Sequence, residues 1–252
     1  MPKNVPGASG TRGAQTVARA RADGYTIGIY NVPGLQVAET IGRKLGFDLD
    51  QVTWIATIAE STYAVAVKAN SPVTSLEELC GMGRAVKLSD TGKDSTSSIA
   101  ATIAFHELDC PIINIAGYNG SNDTMIAVMR GEVDATLKPI ASLDKYTDTG
   151  DLRIIATLSD ERRLPDVPSI AELGYPNLAT LQLHRVIGGP PNMPAEAVKM
   201  LAAAFKQAGA SDAVIEWAQG TKTQLRYRNA EDTKELTKQL TQFFLDYKDL
   251  LQ

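Results

Sequence analysis

In Ser89-Asp-Thr-Gly-Lys-Asp-Ser-Thr96 an apolar run gives way to small hydroxylated residues, and a helix-like stretch follows at once. Hydroxyls beside a glycine at a helix start suit one chemistry, the holding of an anion. The first N–H groups of a helix have no partner within it and carry partial positive charge, so they attract carboxylate or phosphate. Ser95 or Thr96 can cap the helix, Gly92 permits close backbone approach, and Ser89 and Thr91 add hydroxyls. The stretch lacks the GxxxxGK(S/T) spacing of a phosphate loop, so it argues only weakly for a nucleotide. Two further junctions have the same form. One runs through Tyr118, Asn119, Gly120 and Ser121, with the tyrosine offering a hydroxyl or an apolar wall. The other contributes Asn31 and Gly34. Several helix starts converging at one edge of a parallel sheet make a receptor for a small polar solute, and they imply no reaction.

Two cations are placed to meet such an anion. Lys138 closes a strand-like run, where it either faces a carboxylate as a point charge or sits in solvent. Arg185 forms either a bidentate pair with a carboxylate or a structural ion pair. Of the two histidines, His106 reads as a surface residue late in a helix and His184 as adjacent to the site. Neither has a serine or cysteine nucleophile beside it, and no GxSxG elbow or HExxH pair occurs. Carboxylates are scattered and no His/Cys cluster appears, so neither a metal nor another cofactor is expected. Cys80 and Cys110 each precede a strand-like run of the same half. A disulfide between them is geometrically possible, while two buried free thiols are the expected state. Trp54 and Trp217 read as core or packing residues.

The elements that position these residues alternate in type. Helices are expected at residues 13–22, 35–45, from Thr74 or Ser75 onward, at 96–107, 123–130, 141–147, 195–207, 212–219 and 231–250. A short one is expected after Pro168-Ser169. Strands are expected at 25–30, 52–59, 62–67, 85–88, 112–115, 133–137, 153–158 and 181–188. Such alternation predicts an α/β fold with mostly parallel, doubly covered sheets. The 252 residues suffice for one large domain or two small ones. A net charge of −4 without blocks of like charge argues against nucleic acid as a partner. The longest apolar runs are strand-sized, so no direct membrane insertion is expected, and Met1-Pro-Lys-Asn-Val-Pro-Gly7 lacks the apolar stretch of a secretory signal.

Seven segments in order across nearly the whole chain carry a family resemblance. They begin with Pro6-Gly-Ala-Ser-Gly-Thr-Arg-Gly13 and Ala22-Asp-Gly-Tyr-Thr26, then Gly117-Tyr-Asn-Gly-Ser121 and Arg130-Gly-Glu-Val-Asp134. Gly150-Asp-Leu-Arg-Ile-Ile-Ala156, Leu164-Pro-Asp-Val-Pro-Ser169 and the stretch from Arg185 to Pro194 complete the set. Together they resemble the periplasmic solute-binding receptors of tripartite tricarboxylate transporters, the TctC or Bug family. The resemblance implies a two-lobed periplasmic-binding-protein type II fold that closes on a carboxylate-bearing small molecule. Its lobes would be residues 1–68 with 179–252, and residues 69–178. It also implies transporter subunits as partners, a periplasmic location for the full-length form, and a monomer.

Two departures stand against that pattern. The chain starts at the family's Asn-Arg-Pro-Gly position, so the first lobe is expected to be incomplete, lacking the signal peptide and the first strand–helix unit, and to show an unusual edge. The family's usual aspartate aligns with Lys138. Gly7–Gly10 is a further candidate for the cleft wall. The reading is therefore a solute receptor, not an enzyme. Its rivals are a small α/β enzyme acting on a carboxylated or phosphorylated metabolite, pairing His184 with Asp90 or Asp94, and a ligand-sensing module for a signalling partner.

Overall fold

The computed structural model describes residues 1–5, 7 and 10–252; Ala8 and Ser9 of the Gly7–Gly10 candidate lie outside the described residues. The chain forms two compact units, Met1–Glu60 with His184–Gln252, and Ser61–Leu183. No helix among the described residues is long and apolar enough to cross a membrane.

The first unit holds α1 (Thr11–Ala18), β1 (Gly28–Val32), α2 (Gly34–Thr40) and the first half of β2 (Thr53–Lys68). The chain returns to it through β7 (Gln182–Gly189), followed by α7 (Ala195–Gly209), α8 (Asp212–Gly220), β8 (Gln224–Arg228), α9 (Ala230–Leu245) and α10 (Lys248–Leu251). β1 runs antiparallel to β7, with Val32 opposite His184, and β8 runs antiparallel to β2, with Thr57 opposite Arg228. β1 ends the strand order, and its Ile29 is 62% exposed. Ile55, Ala56, Ile187, Met193 and Ala202 form a buried cluster, and Tyr30 meets Trp54 edge-on at 5.2 Å.

The second unit holds the rest of β2, α3 (Leu76–Cys80), β3 (Val86–Asp90), α4 (Thr96–Glu107), β4 (Ile112–Ala116), α5 (Ser121–Arg130), β5 (Ala135–Pro139), α6 (Ile140–Asp148) and β6 (Leu152–Thr157). β3 lies parallel to both β4 and β5, while β2 pairs antiparallel with β5 and β6. Among the described pairings, parallel ladders are thus confined to β3 and its neighbours. These are the strands joined by crossover helices, as parallel pairing requires.

Several elements differ from expectation. The two strands at 52–59 and 62–67 are one continuous strand, because the polar Glu60 that seems to interrupt them is buried and held by side chains of β7 and β8. β8, which alternation did not announce, supplies Arg228 to that contact. The helix expected to reach residue 45 ends at Thr40, since Gly42 follows in a left-handed conformation (φ 83°). The helix expected after Pro168 stays a turn. Ser169 and Glu172 exchange capping bonds of 3.2 and 2.8 Å, and Gly174 (φ 96°) then breaks the chain direction. Helix 231–250 is interrupted after Leu245.

Two side-chain expectations are corrected. Cys80 and Cys110 are joined in a disulfide, with Cα atoms 5.1 Å apart, so they are not free thiols. The end of α3 and the start of β4 bring them within the range that a bridge spans. Trp217 is 56% exposed on α8 and no core residue, whereas Trp54 is buried. α8 is a peripheral helix with Ala218 as its sole buried residue, which leaves the indole outside.

Candidate functional site

In the second unit the register sets Asp90 at the end of β3 opposite Ala116 at the end of β4. β5 runs the same way beside β3 and ends at Pro139. α4 and α5 begin a few residues beyond their strand ends, and α6 begins directly after Pro139. Three helix N-termini therefore follow one edge of a parallel sheet, the edge at which α/β folds bind ligands. The junctions around Gly92–Ser95 and Asn119–Ser121 belong to it.

The organiser of this edge is Asp90, only 2% exposed. Its carboxylate accepts from the Thr91 backbone N–H at 2.6 Å, the Ser95 hydroxyl, the Ser97 hydroxyl at 2.7 Å and the Lys138 ammonium at 3.0 Å. Lys138 also donates to Ser97 Oγ at 2.8 Å. Ser95 Oγ in turn accepts from the Ser98 backbone N–H at 3.0 Å, which makes Ser95 the N-cap of α4. Each serine hydroxyl has one proton, and those of Ser95 and Ser97 are both committed to Asp90. A ligand anion would therefore meet the backbone N–H groups of the first turn, not these hydroxyls. The Asp90–Lys138 pair balances its own charge.

The carboxylate that Lys138 meets as a point charge is that of Asp90 within the protein. The lysine is 1% exposed, so it is not in solvent. Burial pulls its pKa below the ordinary lysine value, while the adjacent carboxylate opposes that shift. Ser89 is also internal; its hydroxyl donates to the Thr124 carbonyl at 2.8 Å and ties β3 to α5. Thr91 and Thr96 are partly buried at either end of the loop. Gly92 and Gly120 stand before open space, since a Cβ on either would meet nothing within 4 Å. Asn119 and Ser121 are exposed at the start of α5. Tyr118 packs against the cluster of Met125, Leu143 and Ile154, and burial raises its hydroxyl pKa.

The remaining candidates lie in the first unit. Asn31 and Arg185 are cross-strand neighbours, and Arg185 donates to Asn31 Oδ1 at 2.9 Å. Gly34 opens the seven-residue α2. His184 is buried, with Nδ1 3.4 Å from Glu60 Oε1, and Arg228 also donates to that oxygen. Burial alone would push the Glu60 carboxyl up, but the contacts from His184 and Arg228 prevail and hold it at about 2. His106 is exposed. No cluster of metal-ligating side chains occurs among the described residues.

Sequence reasoning missed Asp90 as the hub, Ser97 beside it, and the Glu60–His184–Arg228 contact. A carboxylate closing a buried strand just before a serine-rich turn was the available signal for the first two. The third joins residues far apart in sequence, and no local pattern announces it.

Comparison with known proteins agrees with this architecture. The family model described as "Tripartite tricarboxylate transporter family receptor" matches residues 2–242. A UPF0065 protein of Bordetella bronchiseptica is 29% identical over 201 residues, covering 78% of this chain and 59% of that relative. The chain thus spans less than two thirds of that relative's length. The periplasmic binding protein BugD superposes with a TM-score of 0.83 at 22% identity, covering 97% of this chain and 84% of BugD. Rpa4515 of R. palustris, solved with adipate, gives 0.85 at 22% identity, covering 97% and 84%. At such identities the structural likeness concerns the fold, which in these neighbours is the two-lobed periplasmic-binding-protein α/β fold. The family match over nearly the full length decides the assignment: the chain belongs to the tripartite tricarboxylate transporter receptor family.

Proposed function

We propose that the protein is a periplasmic solute-binding receptor that takes a small carboxylate and presents it to the membrane subunits of a tripartite tricarboxylate-type transporter. The observation that carries this reading is the shared sheet edge in the second unit. There the starts of α4 and α5 follow the paired strand ends Asp90 and Ala116, and open space lies before Gly92 and Gly120. Backbone N–H groups at such an edge favour a carboxylate without needing a free cation. The internal charge balance of Asp90 with Lys138 supports the same point. Residues 92, 96 and 119–121 are the proposed contacts in this unit; Asn31, Gly34 and Arg185 are separate candidates of the first unit. Family membership and the adipate held by one structural neighbour favour a dicarboxylate as the first ligand to try.

Calorimetric titration with adipate and malate tests the reading, alongside the uncharged diamide of adipate. Gly92→Val and Gly120→Val place a branched side chain where an added Cβ meets nothing within 4 Å. Binding of a dicarboxylate by the parent, none of the diamide, and a loss of about tenfold or more in either variant are expected. Carboxylate affinity unchanged in both variants would remove these junctions from the site.

A further inference from the structure

The loop between β3 and α4 is tied at both ends to one carboxylate. Asp90 accepts from the Thr91 backbone N–H and from the Ser95 hydroxyl, and the Ser95 backbone N–H donates to the Gly92 carbonyl at 3.1 Å. Residues 92–95 therefore form a hydrogen-bonded turn with Lys93 and Asp94 at its tip. Lys93 is exposed and directly follows Gly92, which stands before open space. Its flexible four-carbon stem can carry the ammonium over that space. The other cation at this edge is already committed. Residues 90–96, 117–121 and 138–140 make the three junctions, and they hold two lysines, Lys93 and Lys138. Lys138 is buried against Asp90 and Ser97. The Lys93 ammonium, among the described residues, has no hydrogen-bond or ion-pair partner.

A cradle of backbone N–H groups holds one carboxylate and does not read the far end of the ligand. An unpaired ammonium beside the cradle supplies that reading, as a point charge for a second anionic group. Building on the carboxylate-receptor reading, we propose that Lys93 is a specificity-determining residue: it meets the second carboxylate of a dicarboxylate whose first is held at the starts of α4 and α5. The ligand class is then a dianion in preference to a monocarboxylate. The same positive charge works against a ligand that carries an ammonium at its far end. Since Lys93 is exposed, the preference it adds is modest, about fivefold, and salt weakens it.

The test is calorimetric titration of the parent, Lys93→Met and Lys93→Arg with adipate and with monomethyl adipate, which has the same chain and one charge fewer. Both substitutions are at an exposed turn position, so the thermal midpoints should match the parent. The parent should prefer adipate to the ester, and raising the ionic strength should shrink that preference. Lys93→Met should lose about fivefold in adipate affinity and less than twofold for the ester, while Lys93→Arg keeps the preference. Adipate affinity unchanged in Lys93→Met, or an equal loss for both ligands, would overturn the assignment and leave Lys93 a solvated surface charge, with the receptor reading intact. Binding of neither ligand by the parent would instead remove the receptor reading, and this inference with it.

Discussion

Replacing Asp90 by asparagine strands the Lys138 ammonium, 1% exposed, without its counter-charge. Removing one partner of a buried pair costs about 3–5 kcal/mol. Ser97 Oγ still accepts from Lys138 at 2.8 Å, and an asparagine carbonyl can accept as well, which places D90N near the lower end, about 3 kcal/mol. In a chain of this length that loss lowers the thermal midpoint by about 6–12 °C. The pH dependence is more diagnostic. Burial depresses the Lys138 pKa and Asp90 opposes the depression, so D90N depresses it further. A lysine with a lowered folded-state pKa binds fewer protons folded than unfolded, between its two pKa values. Stability therefore rises with pH across that window, up to about pH 10. Urea denaturation followed by circular dichroism, from neutral pH upward, should show D90N recovering part of its deficit, because the parent, whose Lys138 is depressed less, gains less over the same range. The double variant D90N/K138M, with no charge to desolvate, should lie closer to the parent than D90N does. A D90N protein within about 1 kcal/mol of the parent at every pH would show that the ammonium is not desolvated, and the hub assigned to Asp90 would fall with it.

Three further outcomes follow from single contacts. Ser95→Ala removes the N-cap of α4 and a donor to Asp90, so a loss of about 1–2 kcal/mol in denaturation is expected, and none would mean the cap is made otherwise. The Glu60 carboxyl, held at about 2, contributes stability that is present above its unfolded pKa and lost as pH falls from about 4.5 toward 2; in E60Q that acid-side slope should shrink. Reduction of Cys80–Cys110, which closes a separation of 30 residues, should cost about 3–4 kcal/mol in matched denaturation curves. Alkylation of the unreduced protein should add no mass, and labelling of two thiols without reductant would contradict the bridge.

Much of the fold could be read from the chain because its signals are local. Helix α4 has the bounds that the serine-rich start and apolar repeat announce, and Ser75 caps α3 as its sequence suggests, accepting from the Glu78 N–H at 3.1 Å. β3, β4 and β5 were legible as short strand-like runs between helices, and their parallel register follows from the crossovers. The two strand failures share one physical cause. β8 and the continuous β2 depend on a buried carboxylate whose partners come from β7 and β8, more than a hundred residues away in sequence. Residues 224–228 alternate too weakly to announce a strand, and pairing with β2 makes them one.

The candidate site divides along a similar line, between where residues lie and what their atoms are already doing. Residue type and spacing located the α4 and α5 junctions, because a helix start after a strand end is a property of the local chain. The direction of a hydroxyl proton is not. Ser89, Ser95 and Lys138 look alike in sequence as groups available to an anion, yet Ser89 donates to Thr124, Ser95 to Asp90, and Lys138 to Asp90 and Ser97. What separates an available donor from a committed one is a buried acceptor contributed by another element. Here a single aspartate at a strand end claims the protons of Ser95 and Ser97 and the ammonium. At the α4 junction the groups left to meet a ligand are then chiefly backbone N–H groups, those beside Gly92. On that view the site's tolerance is predictable: substitutions that keep Asp90, Ser95 and Lys138 mutually paired preserve it, while added bulk at Gly92 or Gly120 blocks it.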